Sequence, residues 1–158
     1  RKAWDRWPEM PLTVCSQATL NLPRRRTLKC VGQVSSSDKL YVAGDALIAP
    51  HKADGIGLEF IEAMCCGLPV IATDAEPWNE WPLIGKIRSK RRAKQVRRKG
   101  VAWYEPNPVS LVSECRKVLA MDRAQISEWS IGVRGVMEER AWSLRAPDMR
   151  RLIETSCF

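Results

Sequence analysis

The sequence has no run of about 18 consecutive apolar residues, the length a helix needs to cross a bilayer. Its first residues, including Arg1, Lys2, Trp4, Asp5, Arg6 and Trp7, lack the apolar stretch of a secretory leader. Neither spanning nor export is encoded in this stretch, and a cytoplasmic protein is expected. Histidine occurs once, at His51, and the six cysteines (Cys15, Cys30, Cys65, Cys66, Cys115, Cys157) form no C-x-x-C. That scarcity argues against a zinc site and against a disulfide framework; the thiols read as reduced core residues, and no metal is assigned. The glycine motifs are incomplete too. Gly55-Ile56-Gly57 lacks the third glycine of the dinucleotide fingerprint, whose place is held by Phe60, and no G-K-[ST] follows as a Walker loop requires. Acidic residues are missing from residues 86–99, where "KIRSKRRAKQVRRK" carries nine cations.

What is present fits one ordinary globular domain: 158 residues, 45% hydrophobic and 28% charged. The chain opens without Met on what reads as the middle of a helix, so a single domain over 1–158, truncated at its N-terminus, is expected. Apolar runs of strand length alternate with helical segments, an order that predicts an α/β fold with a parallel sheet covered by helices. Residues 1–7 read as the end of a helix, "PLTVCS" and "TLKCVG" as strands, and "SSSDKLYVAG" as one or two helical turns. "DALIAPH" is a third strand. A helix from Leu58 to about Cys66 ends at Gly67, and "PVIAT" is a buried strand. The Trp- and Pro-rich "EPWNEWPL" reads as loop, with Trp78 and Trp81 packing structurally. "VAWY" is a short edge strand, Asn107-Pro108 opens a helix, and Ile126, Trp129, Val133, Val136 and Met137 mark another by their spacing.

The stretch "DGIGLEFIEAMCCGLPVIATD", residues 54–74, carries the chemistry. A strand that enters a helix through a glycine loop presents free main-chain N–H groups, together with the positive end of the helix dipole, at the carboxyl edge of a parallel sheet. That is an anion site. Gly55 and Gly57 remove side chains where a phosphate must approach the main chain. Glu62 lies five residues past Gly57, roughly 7 Å along a helix axis, about the distance from a diphosphate to the ribose hydroxyls of its nucleotide. A carboxylate there accepts both hydroxyl protons. Its neighbours Ile61, Ala63, Met64 and Cys65 are apolar, poor surroundings for an unpaired acid with only a structural task. A lone acid on a short helix more often faces solvent or pairs with a lysine, and a Gly-x-Gly before a helix is weak by itself.

"GDALIAP...DGIGLEFIEAMCCGLPVIATD" resembles the signature of the retaining GT-B glycosyltransferases of the "glycosyl transferases group 1" family. In these a strand ending in Pro leads to E-G-F-G-L, a helix with E-A-M-A-x-G, and P-V-I-A-T-D. Pro50, Gly55, Gly57, Leu58, Glu62, Ala63, Met64, Gly67, Pro69, Val70, Ile71 and Asp74 stand where that pattern wants them. "AWSLRAPDMRRLIE" is similar to the family's closing helix. The resemblance implies a Rossmann-like parallel sheet flanked by helices, the second, donor-binding half of a GT-B fold. It implies that Glu62 binds the ribose of a nucleoside-diphosphate sugar, that the backbone at Gly55, Ile56, Gly57 and Leu58 holds diphosphate and sugar, and that Asp54 contacts the transferred sugar. His51 and Lys52 lie on the same rim. No cofactor or divalent metal is implied.

Two departures are visible. Asp54 is one methylene shorter than the family's Glu. The family's Arg and Lys at the start of this domain are not assigned to Arg1 and Lys2, so no catalytic residue is named. The acceptor-binding domain that would lie upstream is absent from the sequence. Two readings therefore stand: the donor half of a glycosyltransferase, incomplete and inactive by itself, or a noncatalytic module that binds a nucleotide sugar or an anionic surface. With a formal net charge of +8, the basic run over about 86–99 reads as an insertion. An anionic membrane surface is its better partner, making the protein peripheral to a membrane. Interleaved aromatics and nucleic-acid-binding signatures are lacking, which argues against nucleic acid.

Overall fold

In the computed structural model, which describes residues 3–16, 27–32, 34, 36, 39–41, 44–53, 55–92 and 102–156, strands β1 (Leu12–Cys15) and β2 (Leu28–Val31) pair in parallel. Strand β3 (Leu47–Ala49) is followed by helix α1 (Leu58–Cys65) and strand β4 (Val70–Thr73), which returns parallel to β3 as a βαβ unit. Strand β5 (Gly85–Ile87) adds in parallel on the other side of β4, giving the order β3-β4-β5. Strands β6 (Ser89–Arg91) and β7 (Tyr104–Pro106) form an antiparallel pair. Helices α2 (Pro108–Leu119), α3 (Arg123–Glu139) and α4 (Trp142–Ser156) complete the chain.

All four residues of β4 are buried, as expected of a central parallel strand covered on both faces. Strand alternation divides them. Val70 and Ala72 pack with Phe60, Ala63 and Met64 of α1 and with Val133 and Met137 of α3. Ile71 packs in a second cluster with Met10, Ile87, and Cys115 and Val118 of α2. Helices thus cover both faces of the sheet, and the expected α/β fold with helix-flanked parallel pairing is the one found.

Local chemistry sets the helix ends. Asn107 accepts from the N–H groups of Val109 and Ser110, with Pro108 in the first turn of α2. Asp122 and Gln125 form a reciprocal capping box on α3. Helix α1 ends at Gly67, whose φ of 73° is left-handed, and α3 supplies donors to its last carbonyls. Ser130 Oγ donates to Gly67 O at 2.6 Å and Arg134 Nη2 to Cys66 O at 3.2 Å, satisfying acceptors that no helix can pair internally.

Some expectations are corrected. The helix end expected over 1–7 is a single 3-10 turn at Trp4–Arg6. The Trp- and Pro-rich segment contains another, Trp78–Glu80. The edge strand expected at 101–104 lies at Tyr104–Pro106, because its register is fixed by Ser89↔Pro106 and Arg91↔Tyr104. The start of the basic run lies in strands: Lys86 and Ile87 belong to β5, with Ile87 fully buried, and Lys90 and Arg91 belong to β6. Residues 93–99 of the run, and five of the ten residues 35–44 over which helical turns are expected, lie outside the described residues.

Two outcomes follow from the packing. A Cβ at Gly67 would meet the Arg134 guanidinium as well as the left-handed backbone. Gly67→Ala should therefore cost about 1–3 kcal/mol in urea unfolding. In an Arg134→Ala background the added cost should fall to about 1 kcal/mol, since only the backbone term remains; equal costs in both backgrounds would count against the close approach. The second concerns Cys115, whose thiol is pushed up by burial to about 11. The fold favours the protonated thiol, so this stabilisation is complete below the ordinary thiol range and is lost as pH rises towards 11. It amounts to on the order of 2 kcal/mol at most. Unfolding free energy should fall more steeply with pH in the parent than in Cys115→Ala.

Candidate functional site

The loop between β3 and α1 is held from behind by two indoles. Trp78 Nε1 donates to Gly55 O and Trp81 Nε1 to Ile56 O, each at 3.2 Å. In a trans peptide the N–H points opposite to its C=O. Anchoring these two carbonyls therefore turns the N–H groups of Ile56 and Gly57 away from the indoles. Gly57 then enters α1 as its N-cap with φ 73° and ψ 59°. A Cβ there would come within 2.7 Å of the Phe60 ring, so the residue must be glycine for both backbone and space. It brings no capping side chain, and the first turn of α1 is left without a side-chain cap. The flanking side chains of Ile56 and Leu58 are 56% and 61% exposed. They border a stretch of main chain whose partial positive charge faces outward.

Glu62 is exposed on α1. It is not turned into the core and, among the described residues, not paired with a lysine. Tyr41, only 6% exposed, donates its hydroxyl to Glu62 Oε2 at 2.6 Å. Burial, and then the bond to Glu62 itself, push the Tyr41 hydroxyl well above its ordinary range, so it remains a donor at any physiological pH. One carboxylate oxygen is fixed while the charge is kept. Sequence reasoning missed Tyr41: it lies 21 residues from its partner, and no local pattern points to it.

The rim residues are more committed than expected. His51 Nδ1 is 3.1 Å from Glu59 Oε1 in the first turn of α1. Its ring packs 5.3 Å from Phe60 and edge-on to Trp78, and its carbonyl accepts from Thr73 Oγ1 at 2.8 Å. Lys52 turns away to Glu105 Oε2 at 3.1 Å, while its carbonyl accepts the Tyr104 N–H at 2.6 Å. Trp78 is 1% exposed and belongs to the core, as the structural reading of the tryptophans expects. Asp54 lies outside the described residues. Gly55, Ile56, Gly57, Leu58 and Glu62 are thus brought onto one loop and helix, with His51 against the helix start and Lys52 directed to β7.

A family model described as "Glycosyl transferases group 1" matches residues 10–103, more than half of the chain, from the approach to β1 as far as Trp103. Among curated proteins, the chain is similar to the lipopolysaccharide core biosynthesis mannosyltransferase LpsB of Rhizobium meliloti (strain 1021), with 40% identity over 50 residues. That alignment covers 32% of this chain and 14% of the relative, so the chain spans a small part of that protein's length. With the glycine-led helix, its outward Glu62 and the parallel sheet behind them, the family match closes the question of kinship: this chain belongs to the group 1 glycosyltransferases.

Proposed function

We propose that the chain is the donor-binding part of a glycosyltransferase, taking a nucleoside-diphosphate sugar and passing its sugar to an acceptor with retention at the anomeric carbon. It would form the second half of a GT-B fold, with acceptor recognition outside residues 1–158. The observation that carries this reading is the outward Glu62, held at one oxygen by Tyr41 on a helix entered through Gly57 without a side-chain cap. The amides of Ile56, Gly57 and Leu58 bind the diphosphate; Glu62 accepts the ribose hydroxyls; Asp54 contacts the sugar. Cleavage of the glycosidic bond builds positive charge on the sugar ring and negative charge on the leaving diphosphate. Main-chain donors fixed in advance by the two indoles stabilise that negative charge without reorganising.

LpsB is named as a mannosyltransferase, which makes a mannose-bearing donor the first to try. The second reading is a noncatalytic binder of nucleotide sugars. Asp54 is the observation that favours it, since a carboxylate one methylene shorter than the family's reaches less far toward a sugar hydroxyl.

The test is thermal shift with uridine, guanosine and adenosine diphosphates. One of them should raise the melting temperature by several degrees at a concentration about 100 times its Kd, where the linkage is about 2.7 kcal/mol. Glu62→Gln should weaken binding about 10- to 100-fold, through two lost charge-assisted bonds. Tyr41→Phe should weaken it about tenfold, through lost positioning of the carboxylate. An undiminished response in Glu62→Gln would overturn the assignment. Transfer of sugar by the full-length protein, or its absence there, separates the two readings.

A further inference from the structure

The β6–β7 ribbon carries charge that the fold does not balance. Arg88, Lys90, Arg91 and Arg92 are all exposed, and among the described residues none of them has an acid within ion-pair distance. The acid across the ladder from Lys90 is Glu105, but its Oε2 is occupied by Lys52. Strand alternation puts Lys90 and Arg92 on one side and Arg91 on the other, so cations surround the ribbon. Such a cluster repels itself, and the sequence from 86 to 99 adds cations without one acid.

The ribbon is also pinned to the candidate donor site. Tyr104 N–H bonds to Lys52 O at 2.6 Å, within the segment that leads to Gly55. Ser89 Oγ bonds to Asp74 O at the end of β4, at 2.9 Å. Arg88 N–H bonds to Ser110 Oγ at 3.0 Å. At the base, Trp103 is half-buried, its indole Nε1 is buried without a hydrogen-bond partner among the described residues, and its ring lies 5.9 Å from the Lys52 ammonium.

We propose that the β6–β7 ribbon docks the protein onto an anionic lipid surface, setting the Gly55–Leu58 edge of the chain close to the headgroup layer. A lipid surface collects cations additively and asks for no register between them. Cations bind nucleic-acid phosphates and base edges as well, but recognition of single strands adds aromatics free to stack. Of the ribbon's two hydroxyls, the one on Ser89 is already given to Asp74, and the ring that carries the other, Tyr104, packs onto Trp78 with ring centroids 6.1 Å apart.

The experiment is co-sedimentation of the full chain with vesicles of phosphatidylcholine alone and with about one-third phosphatidylglycerol. Binding should require the anionic lipid and fall at least about tenfold as salt rises from about 50 to 300 mM. The triple variant Lys90→Gln, Arg91→Gln, Arg92→Gln should lose at least about tenfold in partitioning. A charge-matched control on α4, Arg145→Gln, Arg150→Gln, Arg151→Gln, should lose less than about threefold. Melting temperatures equal to the parent's show that both variants fold. The donor reading is tested apart from this one, because Glu62→Gln should bind vesicles as the parent does. Equal losses in the two triple variants, salt-independent sedimentation, or tighter binding to duplex DNA or single-stranded RNA than to vesicles at the same salt would each overturn the proposal.

Discussion

The bonds from Trp78 and Trp81 to the carbonyls of Gly55 and Ile56 decide which way the β3–α1 loop presents itself, and the candidate site depends on that choice. A glycine-containing loop has many conformations open to it, and each costs entropy to fix. Here the fixing is done from the core side, because Trp78 is itself buried against Phe60 and the β4 layer. Main-chain acceptors are spent inward, and main-chain donors are left on the opposite side. The left-handed turn at Gly57, tight against the Phe60 ring, then delivers the chain into α1 with the helix start turned the same way.

The charges around the loop follow a division of labour. Glu59 lies 3.1 Å from His51 Nδ1 and Glu105 lies 3.1 Å from the Lys52 ammonium, so each of these acids faces a nitrogen of the segment that leads into the loop. Glu62 is held by a neutral hydroxyl instead. A lysine in that place would cancel the carboxylate and compete with an incoming hydroxyl for it. Tyrosine orients one oxygen and leaves the negative charge intact, and its own high proton affinity, caused first by burial, keeps it from adding a second negative charge. The pair therefore lowers the entropy of the carboxylate without lowering its capacity to accept hydrogen bonds.

How much of this was legible in the sequence depends on the range of each interaction. The unbroken apolar run Val70–Thr73 predicted a strand covered on both faces, Gly67 predicted the end of α1, and Asn107-Pro108 the start of α2, because each signal is read within a few residues. The order of glycines and acids from 54 to 74 identified the family and located the loop and Glu62. What escaped was non-local. Tyr41 reaches Glu62 across 21 residues, and the two indoles reach their carbonyls across 23 and 25. The tryptophans read correctly as packing residues, but their polar N–H groups, which aim the loop, leave no trace in periodicity. The basic run misled for another reason: charge reports solvent exposure and says nothing about strand pairing. Lys86 and Lys90 are exposed on strands whose other residues, Ile87 above all, are held in the sheets.

Lys52 links the two halves of the functional argument, and the kinds of bond it makes determine how. Its ion pair with Glu105 is exposed and worth little in water. Its carbonyl, by contrast, takes the Tyr104 N–H at 2.6 Å, a main-chain bond that no side-chain rotamer can break. The start of β7 is therefore tied to the segment entering the donor loop by backbone alone, and Tyr104 adds a ring contact to Trp78, the residue that holds Gly55. The route from the ribbon to the loop carbonyls runs through packed and hydrogen-bonded groups, the Tyr104 ring, the Trp78 ring and its N–H. The charged ribbon and the glycine loop thus share a main-chain hydrogen bond and a ring contact, whatever the ribbon's cations engage.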